Sequence, residues 1–298
     1  MRLSCAARDL LTGADPDRPR VLAFDRADLR LTQGREIVEI GATPPRPEIE
    51  ALIGARAGGQ LRKAINDALP GEVEAGSPLY LLLDDIGVAS LVAPFAWSQW
   101  NAQTEQQITR SFNDAAHKQK NAGICIGYTP GSSAFDTSPG AVLQHRKVHP
   151  LQSPDDTLGW HELTDWNEVS ARRSRLIDVW FEDDEIVVAT HFQDSAALGS
   201  GGRRAVHEYL LTARADRGSA TLRAISADPR ILPFDVCPTA IFNIDRMIGT
   251  PLTDLRRMVV ERLPRTDGCT HLNDTIRSLA EVPQLAAALA GSTAELAR

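Results

Sequence analysis

Two short segments hold side chains able to move protons. In Val206-His207-Glu208-Tyr209 the alternation of a strand puts His207 and Tyr209 on one face and Glu208 on the other. An imidazole and a phenol would then stand side by side, able to donate to and accept from a ligand on a sheet face. The second segment, Gly268-Cys269-Thr270-His271-Leu272-Asn273-Asp274, lies at an expected helix start. Unpaired backbone N–H groups and the helix dipole favour an anion there, so Cys269 is the thiol expected to be activated. His271 and Asp274 are three residues apart, a spacing that lets a carboxylate orient an imidazole for acid–base work. Cys269 and His271 are two apart and would face away from each other on a helix, which disfavours a thiol–imidazole nucleophile. Asp194 is a further acid available to these groups. Half-buried strands also use His and Tyr as filler, and a cysteine beside a helix cap is often only buried, so the structural alternative stands at both places.

A metal is the other chemistry these residues allow. Cys237, Cys269 and His271 with one further ligand would complete a tetrahedral zinc or iron site. Structural zinc sites usually pair ligands about two to four residues apart, and of these three only Cys269 and His271 are that close. Trp160, Trp166 and Trp180 gather in one stretch, and Trp160, Trp180 and His191 are the residues expected to line a pocket for a flat substrate. The chain has no Gly-x-Gly-x-x-Gly loop, no Walker loop, no Gly-x-Ser-x-Gly elbow and no His-Glu-x-x-His. The basic run Arg172-Arg173-Ser174-Arg175 reads as a solvated edge.

The elements that must position these groups repeat along the chain. The segment from Leu61 to Pro70 resembles that from Leu255 to Pro264 without a gap, 194 residues apart by subtraction, and Ile40–Pro44 resembles Ile225–Pro229 at an offset of 185. In each copy alternating apolar and polar residues predict an antiparallel meander of about three or four strands, for example 185–192 and 205–212, followed by helices. One helix is expected from Thr253-Asp254 to Pro264, and a last one from near Thr270 with Leu272, Ile276 and Leu279 on one face. The expected fold is therefore α+β, an internally duplicated antiparallel β-meander plus helices, with two pseudo-symmetric copies packed together. Copy one spans 1–100, a linker with an expected strand at 121–128 spans 101–164, and copy two spans 165–298. His191 aligns with Ala6 and His207 with Leu22 at the offset of 185, so the first copy is degenerate and the second carries the chemistry.

Bulk properties narrow the classes. A chain of 298 residues, 43% hydrophobic and 24% charged, can bury sizeable cores. A formal charge of −7 gives no positive field to hold phosphates, which speaks against nucleic acid or an anionic membrane as partner. No run approaches the roughly 20 apolar residues of a membrane span, and the N-terminus lacks a signal-peptide pattern, so a cytoplasmic location is expected. Four scattered cysteines fit reduced thiols better than a disulfide framework.

Several stretches resemble a bacterial family of domains of unknown function, the one numbered 2889. They are Arg172–Trp180, His191–Ser195, Val206–Tyr209, Cys237-Pro238 and Cys269–Leu279, with Leu52–Arg56 and Gly76–Asp85 in the first copy. The cysteine–threonine–histidine–leucine motif is the most specific of them. The resemblance implies no activity, so function rests on the residues. The expected function is a cofactor-independent lyase of aromatic compound catabolism, with His207, His271, Tyr209, Asp194 and Cys269 as its catalytic groups. It would cleave a C–C or C–O bond of a small, aromatic substrate, for instance by losing formaldehyde or water from a side chain. The alternative is a zinc- or iron-binding protein, and the partners expected are a small-molecule substrate and optionally a second copy of the chain.

Overall fold

The computed structural model describes the chain except residues 14, 16, 101–119, 137–145, 153–155, 164–165, 167 and 297–298. The chain divides into two units, one formed by residues 1–91, 154–159 and 287–298, the other by 92–153 and 160–286. The class is α+β, with two antiparallel sheets.

The first unit opens with a meander, β1 (Arg2–Leu11), β2 (Arg20–Leu31) and β3 (Ile37–Thr43). On β2 the sequence alternates strictly, so Ala27, Leu29 and Leu31 are buried while Arg26, Asp28 and Arg30 face water. Helices α1 (Leu61–Ala68), α2 (Pro70–Ala75) and α3 (Pro78–Val92) follow. Leu61, Ile65, Leu79, Leu83 and Ile86 from α1 and α3 join the buried face of β2 in one core. Each such side chain taken fully out of water contributes about 1.5–3 kcal/mol.

In the second unit a short helix α4 (Pro94–Ser98) precedes the sheet. β5 (Ala171–Glu182), β6 (Glu185–Ala197), β7 (Arg203–Asp216) and β8 (Leu222–Ile231) form a meander, and the two-residue β4 (Arg146–Lys147) pairs with the start of β7. After a run of 3-10 turns at Cys237–Met247 come α5 (Leu255–Arg262), α6 (Thr270–Ser278) and α7 (Val282–Leu296), of which residues from 287 onward belong to the first unit. Phe192, Tyr209 and Leu211 from the sheet share a core with Leu255, Val259, Leu272, Ile276 and Leu279. The central strands β6 and β7 bury residues on both faces, which is what allows polar groups to be enclosed on either side.

The two meanders have matching irregularities. The pairing shifts between Asp9 and Leu10 in β1–β2 and between Asp194 and Ser195 in β6–β7. It shifts again between Arg30 and Leu31 in β2–β3 and between Arg214 and Ala215 in β7–β8. Arg35 and Ala220 take positive φ, 64° and 51°, at the same tight turn, and α1 and α5 both end on a leucine with nearly equal dihedrals, Leu69 and Leu263. β7–β8 has a further shift, between Glu208 and Tyr209, with no counterpart in β2–β3, and the second sheet also contains β4 and β5.

Two expectations are corrected. Residues 121–128 do not form a strand; they make turns that end in a single 3-10 turn, Ile126–Tyr128, with its Ile126 N–H bonded to the Gly268 carbonyl. Gly123 at φ 74° breaks the extended run. The segment from Thr270 is also not the last helix, since α7 follows it. Among the described residues no helix is long and apolar enough to cross a membrane.

Candidate active site

The β6–β7 register sets Asp194 opposite His207, and the β5–β6 register sets Arg173 opposite Asp194. The three side chains therefore share one face of adjacent strands. Arg173 grips Asp194 in a fork, Nε to Oδ1 at 2.9 Å and Nη2 to Oδ2 at 2.8 Å, and its Nη1 reaches Oδ2 of Asp274 on α6 at 3.5 Å. Arg173 and Asp194 are almost fully enclosed, 6% and 2% exposed at the side chain. Such a bidentate pair sets orientation as well as charge.

Helix α6 lays His271 over this pair. Its ring stacks on that of His207, with centroids 3.4 Å apart and planes 18° from parallel. Oδ2 of Asp194 lies 3.5 Å from His271 Nε2 and 3.8 Å from His207 Nδ1, and among the described residues neither nitrogen has a hydrogen-bond partner. Burial pushes the His207 pKa down to about 4, with the Asp194 carboxylate opposing the shift and Arg173 adding to it. His271 is lowered well below its usual value, first by burial, then by His207 and Arg173. Both rings are thus neutral at pH 7. Phe192 completes the floor, 6.2 Å from His271 between ring centroids and 5.0 Å below the Arg173 guanidinium.

Cys269 and Tyr209 border the imidazoles. Cys269 is the N-cap of α6, in an extended conformation, and its Sγ is 3.9 Å from His271 Nδ1. Spacing on a helix put these two apart; they meet because Cys269 is not yet helical and its side chain folds over the first turn. The expectation of an activated thiolate is corrected too. Burial raises Cys269 to about 11, outweighing the amides of His271 and Leu272 that favour the anion. Tyr209 lies against the same sulfur and is raised well above its usual value, again by burial.

All five residues expected to act on protons, His207, His271, Tyr209, Asp194 and Cys269, therefore border one buried cluster. The pairing of His271 with Asp274 is replaced by His271 with Asp194 and Asp274 with Arg173. Arg173, read as part of a solvated edge, is instead the clamp of the site. Strand alternation offers the missed signal, because it separates Arg173 and Arg175 from Arg172.

The expected substrate-binding residues are elsewhere. His191 lies on the opposite face of β6, where Glu208, fully enclosed, accepts from His149 Nδ1 at 2.9 Å, Gln193 Nε2 at 3.1 Å and His191 Nε2 at 3.3 Å. Those interactions hold the Glu208 carboxyl below its usual range against the cost of burial. Trp160 packs edge-on against His191, and Trp180 is 38% exposed with its indole N–H on Glu182. Trp166 is exposed.

Among the described residues the group whose donor atoms converge, all within 4.8 Å, is Asp194, His207 and His271, a set without Cys237. Two histidines and a carboxylate are suitable ligands in kind for zinc or iron. Their arrangement is not. Two imidazoles aimed at one ion about 2.1 Å from each nitrogen must splay, with ring centroids about 4.5–5.5 Å apart, whereas here the rings are stacked at 3.4 Å. Arg173 moreover donates to both Asp194 oxygens, which sets a fixed cation beside the carboxylate that would have to bind the ion.

No curated protein and no solved structure matches the chain. The model of a family described as Protein of unknown function (DUF2889) matches residues 171–284, while the first-unit stretches that resemble it lie outside that span. The match runs from β5 into α7 and takes in Arg173, Asp194, His207, Tyr209, Cys269 and His271, so the segment 171–284 that holds the site is similar to the DUF2889 family of proteins of unknown function.

Proposed function

We propose that the protein is a lyase that cleaves a C–C or C–O bond in the side chain of a small aromatic compound, using acid–base side chains and no nucleotide or metal. The observation that carries this reading is the stacked, neutral pair His207 and His271 over an Asp194 held by Arg173. His207 Nδ1 faces Asp194, which leaves Nε2 to take a proton while the carboxylate stabilises the imidazolium that forms. In loss of formaldehyde, that proton comes from a side-chain hydroxyl. The O–H electrons become the C=O of the departing aldehyde, the C–C electrons pass to the carbon left behind, and that carbon takes a proton from the site. Tyr209, whose phenol stays protonated, and His271 are the donors available for the return step.

The test is a panel of aromatic compounds with a hydroxyl on the side chain, assayed for formaldehyde and for dehydrated product. We expect turnover by the native protein and a loss of about 100-fold or more in His207→Gln and in His271→Gln. Unchanged turnover in both variants would reject the assignment.

We also infer that the two meanders descend from one duplicated unit. The coincident bulges and turn dihedrals support this, and they align His207 with Ala23 rather than with Leu22. Asp194 then corresponds to Asp9, and no imidazole of the site has a counterpart.

A further inference from the structure

We infer that Cys269 is a positioning residue whose S–H donates to Nδ1 of His271, fixing that imidazole as the tautomer with its proton on Nε2, directed at Asp194. The inference deepens the acid–base reading of this site, and its catalytic consequence rests on that reading.

The argument is one of donors and acceptors. A neutral imidazole has one ring nitrogen that donates and one that accepts. His271 has Asp194 Oδ2 at 3.5 Å from Nε2 and Cys269 Sγ at 3.9 Å from Nδ1. Asp194 makes no hydrogen bond to Nε2 in this geometry, but its negative charge at that distance favours the tautomer whose hydrogen lies on Nε2. The sulfur must then be the donor. Its surroundings agree, because the backbone N–H groups of His271 and Leu272 lie close enough to favour negative charge on the sulfur and so face it as donors. Its one hydrogen is left to face Nδ1. Burial keeps that hydrogen in place at neutral pH, since the thiol is raised to about 11.

The consequence separates the two histidines. With its proton on Nε2, His271 presents a donor to the site and acts as acid or oxyanion partner, while His207 is the base. A Cys269→Ala variant would leave Nδ1 without its donor and let the other tautomer form. A Cys269→Ser variant keeps an O–H in the same place.

The test is nitrogen-15 NMR of the full chain with labelled histidine, with His271 assigned by the His271→Gln spectrum. The native protein should show a protonated Nε2 and an acceptor Nδ1. The ratio of the two tautomers should fall about tenfold in Cys269→Ala and recover in Cys269→Ser. Native protein with its proton on Nδ1, or an unchanged ratio in Cys269→Ala, would overturn the inference. If Cys269→Ala does not fold, the native tautomer and the Cys269→Ser spectrum still decide it. Lyase turnover is read separately: the expected tautomers in a protein that shows no turnover would sink the proposed function and leave the positioning role standing.

Discussion

Taking a histidine out of water has a thermodynamic consequence that can be measured without a substrate. Unfolded, His207 takes a proton near pH 6.5, whereas in the fold it resists protonation down to about pH 4. Between those values the unfolded state binds more protons, so stability rises with pH across the window. The stabilisation is complete above pH 6.5 and is lost progressively toward pH 4, by roughly 3 kcal/mol for this residue alone. His271, lowered in the same direction, adds to the slope. Urea unfolding from pH 4 to 7 should therefore show a steep rise in the native protein and a clearly flatter one in His207→Gln. Residue types and strand alternation made His207 and Tyr209 legible as neighbours, and Asp194 legible as an acid within their reach. Arg173 was not legible as their clamp. A run of arginines reads as solvated, and only the β5–β6 register shows that one of them is opposite a buried carboxylate.

The element that sets the geometry is α6 with the turn before it. Gly268 accepts the Ile126 N–H on its carbonyl, and a Cβ on this residue would lie 2.9 Å from the Leu263 carbonyl and 2.7 Å from both polar atoms of the Asn273 amide. A backbone oxygen cannot swing aside as the tip of a side chain does. We expect Gly268→Ala to destabilise the protein by about 1–3 kcal/mol, read by urea denaturation, and to displace the cap that holds Cys269 over His271. Helical spacing correctly put His271 and Asp274 on one side of α6. It could not name their partners, because a face is a local property and the partners come from strands about 65 to 100 residues upstream. The same limit applies to Glu208. Its orientation away from His207 was legible, while its bond to His149, from a segment 59 residues earlier, was not.

At the scale of the molecule, the meanders and their following helices were readable from periodicity, since β2 alternates between a core face and water, and β6 and β7, buried on both faces, keep the composition of strands. The linker was misread at 121–128, where an apolar run of strand-like composition is broken by glycines into turns. The proposed account places base, acid and clamp within the second unit, on β5, β6, β7 and α6, and requires no ion. Its most direct test is turnover measured beside the zinc and iron content of the same preparation. We predict that formaldehyde or water loss from an aromatic side chain persists after chelator treatment and does not scale with metal content. Near-stoichiometric zinc or iron that vanishes in His271→Gln, with turnover restored to the treated native protein only by adding the ion back, would contradict it.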